Sequence, residues 1–243
     1  MLFYWDIFFQ NLSDDMKNFK NSLFCAIDFR NPGDAHKLIY KVKNYIDGIK
    51  VGLEFFVANG PDSVTELKRY NLPIFLDLKL HDIPNTVYKS VNSVLKIKPE
   101  ILSVHISGGK RMLRKISNIK HRPKIVGVSM LTSLDKDDLK EIGIRLNPRN
   151  FVKRLTKIAL ESKLEGIVCS ALEAKIIKPM CPTKFLIITP GIRFGNEEMA
   201  DQKRVSTPEQ AIKNGASIIV VGRSITNSKD PENMAKLIKK TIE

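Results

Sequence analysis

The 243 residues are 43% hydrophobic, and no low-complexity tract, Gly/Ser linker or abrupt shift in composition divides them, which suits one well-buried domain. Lysine and arginine number 40 against 26 acids, a formal net charge of +14; such a balance fits either a nucleic acid or a small anionic substrate. The lysines are scattered and no aromatics interleave with them, which argues against a nucleic-acid-binding face and leaves a small anionic substrate or a plain Lys-rich composition bias.

In chain order, the opening MLFYWDIFF is apolar but broken by Asp6. It is far shorter than the ~20 residues of a membrane span and carries neither a basic leader nor a small-residue cleavage site. Residues 1–15 are therefore expected to form an N-terminal extension, with Met16 as an alternative start, ahead of one domain over 16–243; no membrane association is expected. Eight short, β-branched apolar runs follow: LFCAID (23–28), GIKVG (48–52), PIFLDLK (73–79), ILSVHI (101–106), KIVGVSML (124–131), GIVCS (166–170), FLIITPG (185–191) and SIIVVG (217–222). Cys25 and Cys169 sit inside such runs and Cys181 stands apart. Without C-x-x-C spacing, the three read as reduced thiols of a cytoplasmic protein.

Amphipathic, Lys-rich segments such as AHKLIYKVKNYI and NFVKRLTKIALESK separate most of the runs. STPEQ is a helix start, with Thr207 as cap, Pro208 in the first position and Gln210 placed to close a capping box; Asn214-Gly215 ends that helix. Strands that are apolar on both faces and alternate with helices indicate a parallel sheet, and eight such units predict a single-domain α/β fold, the (β/α)₈ TIM barrel. An open doubly wound sheet would more typically carry G-x-G-x-x-G after the first strand, and AIDFRNPGDA has no such turn.

Barrel enzymes build their sites at the C-terminal ends of the strands, and polar residues collect there. Asp28 closes the first run and Lys50 lies in the second. Asp77 and Lys79 end the third, with Asp82 just beyond, and His105 is near the end of the fourth. Thr132 follows the fifth run, Arg193 the seventh, and Gly222-Arg223 the eighth. Asp77 and Lys79, two apart on a strand, are expected on one face. A buried structural ion pair would look the same in isolation, but Asp28 and Lys50 crowd two more charges into one mouth, which is costly to desolvate and poor as mere packing. A lysine flanked by carboxylates is held protonated, which makes it a proton donor rather than a Schiff-base nucleophile. The cluster lacks the His/Cys set of a zinc site, and the intervening lysine repels magnesium, so no metal is expected there. Proton delivery to a developing carbanion is the favoured chemistry.

The ends of the seventh and eighth barrel strands are the usual place for a phosphate. TPGIRF supplies Gly191 and Arg193, VVGRSI supplies Gly222 and Arg223, and the polar segment 192–206, with Gly195, Gln202 and Arg204, is expected to be a lid. His81 is expected to alternate away from the cluster, and His105 to line its base or serve structure.

The run LDLKLHDIPNTV resembles the orotidine 5′-phosphate decarboxylase signature, Asp-x-Lys-x-x-Asp-Ile-Pro-x-Thr. AIDF, KVG, VHISGG, LTS, TPGIR, DQKR, TPEQA and VVGRSIT also occur in that family's order, over roughly residues 22–230. The resemblance implies a cofactor-free and metal-free decarboxylation of orotidine 5′-phosphate to UMP, the last step of de novo pyrimidine synthesis. It implies that Lys79 protonates C6 of the pyrimidine, that Asp77 sits against the substrate carboxylate, and that Lys50 and Asp82 complete the charged network. Asp28 and Lys50 would hold the ribose hydroxyls, Thr132 the pyrimidine edge, and Gln202, Gly222 and Arg223, joined by Arg193, the phosphate. Asp82 and Thr86 would reach into the partner's site, implying a homodimer with shared active sites. Phe194 and Ala200 stand where the family often has Pro and Gly, both in the expected lid. Sugar-phosphate decarboxylases and aldolases of the same superfamily share the Asp-x-Lys-x-x-Asp core but use magnesium; HDIPNT favours the nucleotide enzyme.

Overall fold

The computed structural model describes residues 19–194 and 206–243. The expected extension 1–15, Met16, and the lid residues Gly195, Ala200, Gln202 and Arg204 lie outside the described residues. Within them, all eight apolar runs form strands: Ser22–Ala26 (β1), Gly48–Val51 (β2), Ile74–Leu80 (β3), Ile101–His105 (β4), Lys124–Val128 (β5), Gly166–Val168 (β6), Leu186–Thr189 (β7) and Ile218–Val221 (β8). They pair in chain order and β8 returns to β1, closing a barrel of parallel strands. The crossovers carry the helices Pro32–Val42 (α1), Leu53–Glu66 (α2), Pro84–Val94 (α3), Gly109–Ser117 (α4), Lys136–Glu141 (α5), Pro148–Glu161 (α6), Ala171–Ile177 (α7) and Pro208–Lys213 (α8); Arg223–Thr226 (α9) and Pro231–Lys240 (α10) follow β8.

Local chemistry sets the helix limits. Proline occupies the first turn of α1, α3, α6, α8 and α10, where its missing N–H has no helical partner to lose. Thr207 caps α8 as expected, accepting from Gln210 N at 3.2 Å. The expected capping box is only half made, because the Gln210 amide reaches forward to Asn214 Oδ1 at 2.9 Å instead of back to the cap. α2 breaks at Gly60, whose φ of 73° and ψ of −176° suit a residue without a Cβ, and Pro61 restarts the turn.

The strands are apolar on both faces because each face meets a core. Phe24, Phe75, Ile101, Val126, Ile188 and Val220 pack inside the barrel, with Phe19 among them. Leu23, Cys25, Ile49, Leu76, Leu102 and Ile219 belong to the larger core shared with the helices. Phe19 meets Phe24 edge-to-face with ring centroids 5.5 Å apart, a favoured aromatic geometry. Gly48 is what makes room for Phe24, since a Cβ there would overlap that ring. Among the described residues no helix is long and apolar enough to cross a membrane.

Candidate active site

The barrel's inner face turns polar from the layer of Phe75 upward. Ala26, Lys50 and Phe75 stand side by side in the β1–β2–β3 ladder, and the next inward position on β3 is Asp77. The period of two along a strand therefore aims Lys50 and Asp77 into the mouth. Lys50 Nζ reaches Asp28 Oδ1 at 3.1 Å and Asp77 Oδ2 at 3.9 Å, and Lys79 Nζ donates to Asp77 Oδ2 at 2.8 Å. The four predicted charges are thus one chain of contacts, Asp28–Lys50–Asp77–Lys79. Asp77 is its buried centre, with 9% of its side chain exposed against 45% for Asp28.

Lys79 does not reach Asp77 by simple alternation. Leu76 pairs with Leu102 but Leu80 with Val104, so β3 fits four steps against two of β4. Inside this bulge Lys79 has φ 51°, the left-handed region that residues with a Cβ rarely adopt. The shared face holds, but an irregular backbone produces it.

Burial alone would push the Asp77 carboxyl up. The ammoniums of Lys79 and then Lys50, with hydrogen bonds from Lys79 and Ser103, outweigh it and hold the group below the usual carboxylate range. The carboxylate is therefore a fixed negative charge at neutral pH.

Lys50, Asp77 and Lys79 line a cavity of about 600 Å³ at the C-terminal end of the barrel, together with Asp28, Thr132, Arg193, Gly222 and Arg223. Arg193 is buried, and its Nη1 donates to Ile192 O at 3.1 Å. The backbone on either side of 195–205 is tied together, with Arg193 N donating to Ser206 O at 3.0 Å and Ser206 N to Gly191 O at 3.2 Å. Asp82 and Thr86 are exposed, and neither is among the residues lining the cavity; Asp82 Oδ1 accepts from Ile83 N at 2.6 Å. His105 also lies off the cavity, half-buried, with its ring centroid 5.4 Å from that of His81.

Three residues that matter here were not anticipated. Ser103, fully buried, bonds to both Asp77 and Lys79. Its signal was in the register: Ile101 pairs with Phe75, so the next inward residue of β4 belongs beside Asp77. A Cβ at Gly52 would displace the Asp28 carboxylate and the Lys50 ammonium from their present positions. Glu54 lines the cavity rim and pairs with Arg30 at 3.2 Å. Among the described residues no group of three or more His, Cys, Asp or Glu is gathered in a way that could hold a metal ion.

A parallel barrel with a buried lysine–carboxylate chain at its C-terminal mouth, and two arginines at the ends of β7 and β8, defines a barrel enzyme for an anionic substrate. Residues 21–238 match the family profile described as orotidine 5′-phosphate decarboxylase / HUMPS family, and the chain belongs to that family. It is 45% identical over 221 residues to an orotidine 5′-phosphate decarboxylase of Sphingopyxis alaskensis, covering 90% of this chain and 98% of that one. It is 46% identical over 226 residues to one from the Wolbachia of Brugia malayi, covering 91% and 99%. Among solved structures, orotidine 5′-phosphate decarboxylase from Lactobacillus acidophilus superposes with a TM-score of 0.79 at 34% identity, covering 91% of this chain and 99% of that one.

Proposed function

We propose that this chain catalyses the decarboxylation of orotidine 5′-phosphate to UMP and CO₂ in the cytoplasm, as the last step of pyrimidine nucleotide synthesis, with no cofactor. One observation carries the reading: an ammonium, that of Lys79, held 2.8 Å from a buried carboxylate and facing the cavity. As the C6–carboxylate bond breaks, its electron pair stays on C6 and Lys79 delivers the proton there. Asp77, ionised at neutral pH, faces the substrate carboxylate; their repulsion ends as neutral CO₂ departs, so the transition state is favoured over the ground state. Lys50 balances Asp77 and, with Asp28, takes the ribose hydroxyls, while Thr132 takes the pyrimidine edge.

Arg223, the Gly222 backbone, Arg193 and Gln202 would take the phosphate, so binding energy from a remote group holds the reacting carbon against Lys79. Asp82 and Thr86, exposed and off their own cavity, would complete the site of a second copy in a symmetric homodimer.

The deciding experiment follows loss of orotidine 5′-phosphate absorbance in excess chelator, for the native chain and Lys79→Ala. Turnover by the native chain alone is expected. Turnover only with added magnesium would favour the sugar-phosphate branch, and equal rates for both proteins would remove Lys79 as proton donor. For the shared site, Lys79→Ala and Asp82→Ala chains, each inactive alone, should regain about a quarter of native activity after random subunit exchange; no recovery means each site is complete within one chain.

A further inference from the structure

The decarboxylase reading leaves one feature without a cause: the proposed proton donor sits on a left-handed backbone inside a bulge, with φ 51° at Lys79. Such a conformation persists only when the surroundings over-determine it. The bulge draws the Lys79 N–H out of the regular β3–β4 ladder, and that N–H donates to Ser103 Oγ at 2.9 Å. The single proton of the same hydroxyl goes to Asp77 Oδ1 at 2.7 Å. The other Asp77 oxygen receives the Lys79 ammonium at 2.8 Å. Backbone of Lys79, hydroxyl of Ser103, carboxylate of Asp77 and ammonium of Lys79 therefore form one closed ring. Ser103 is 0% exposed and is not among the residues lining the cavity, so it acts on the neighbours that do line it.

We propose that Ser103 is a positioning residue of the reaction: its hydroxyl locks the Lys79 bulge and the rotamer of Asp77 together, fixing where the ammonium points. Accepting from a peptide N–H and donating to a carboxylate at once requires a small hydroxyl; alanine supplies neither, and a thiol of similar size supplies both poorly.

The test, which rests on the decarboxylase reading, compares native protein with Ser103→Ala, Ser103→Cys and Ser103→Thr, measuring kcat, KM, the pH dependence of kcat and the binding of UMP. Ser103→Ala and Ser103→Cys should lose about 10–100-fold in kcat, the scale of a displaced reacting group. KM and UMP binding should stay within about threefold, because the ribose and phosphate contacts lie elsewhere. Their acid limb should move to higher pH, since a hydrogen bond favouring the ionised carboxylate is gone. Ser103→Thr, which keeps the hydroxyl, should recover most of the rate. If Ser103→Ala does not fold, Ser103→Cys decides by keeping the volume. Native kcat and pH profile in Ser103→Cys, or a Ser103→Thr protein that binds UMP normally yet is as slow as Ser103→Cys, overturns the proposal. Absence of turnover in the native protein sinks the decarboxylase reading instead.

Discussion

Two buried ionic clusters stand at opposite ends of the barrel, and they differ in what is left over. At the N-terminal rim, Glu165 meets Arg122 through two hydrogen bonds, at 2.7 and 2.9 Å, and also accepts from Ile125 N at 2.9 Å. The guanidinium gives its remaining bonds to the Ser117 and Pro123 carbonyls. Both side chains are about 10% exposed or less, and the bidentate geometry uses nearly every donor and acceptor. At the mouth the geometry is open. Among the described residues Lys79, with three N–H donors, hydrogen-bonds through only one, to Asp77, and Lys50 has only Asp28 as hydrogen-bond acceptor. The surplus faces a cavity. An ion pair whose bonding capacity is exhausted holds elements together, whereas one with donors to spare beside a void is ready for a ligand.

That contrast predicts opposite phenotypes. The largest effect belongs to the mouth. Lys79→Ala should lower kcat by at least about 10³-fold, within the range of general-acid catalysis. Its melting temperature should stay near native, because Lys50 still neutralises Asp77 and the vacated space joins the cavity. The second effect belongs to the rim. Arg122→Ala leaves a buried carboxylate with only a backbone donor, which should cost about 3–5 kcal/mol in urea or thermal unfolding. Its kcat, measured well below the melting point, should remain within about threefold of native, because the rim contacts nothing that reacts. If Lys79→Ala melted much lower than Arg122→Ala while both kept their rates, the assignment of roles would be reversed.

How far this division was readable in the chain depends on sequence distance. The mouth was legible because two of its charges, Asp77 and Lys79, interrupt one apolar run two residues apart and the others, Asp28 and Lys50, lie near the ends of the two preceding runs; an apolar strand interrupted by charge is conspicuous. The rim pair was not, since Arg122 and Glu165 are 43 positions apart and flank strands as ordinary surface residues would. All eight strands were legible from composition, but their ends were not. KIVGVSML continues as apolar sequence to Leu131, yet β5 stops at Val128, because the chain turns over the mouth, where Leu131 and Thr132 meet the cavity. The bulge at Lys79 was hidden for a different reason. Period-two alternation gives the same face for Asp77 and Lys79 whether or not the ladder slips, so the pattern could not report that a left-handed residue was needed. Ser103 gives no such signal, because a lone serine in an apolar run reads as tolerated packing until the opposing register is known.

The smallest of the three effects is a slope, and it asks whether the mouth cluster also contributes to stability. Asp77 is held below the ordinary carboxylate range despite its burial, chiefly by Lys79 and Lys50. In the unfolded chain an aspartate titrates near ~3.9, so on acidification the unfolded state takes up this proton first. A depressed folded value therefore means that the contribution of Asp77 is fully present above about pH 4 and is lost as pH falls through the lower folded value. Asp77→Asn cannot titrate, so the stability gap between native and variant, measured by urea unfolding at successive pH values, should narrow steadily below about pH 4. A flat gap would mean that Asp77 has the same proton affinity folded and unfolded. A gap that widens on acidification would mean that burial dominates and the carboxyl is protonated in the fold. In that case Asp77 could not repel a departing carboxylate, and the mouth would be closer in kind to the rim than its unused donors suggest.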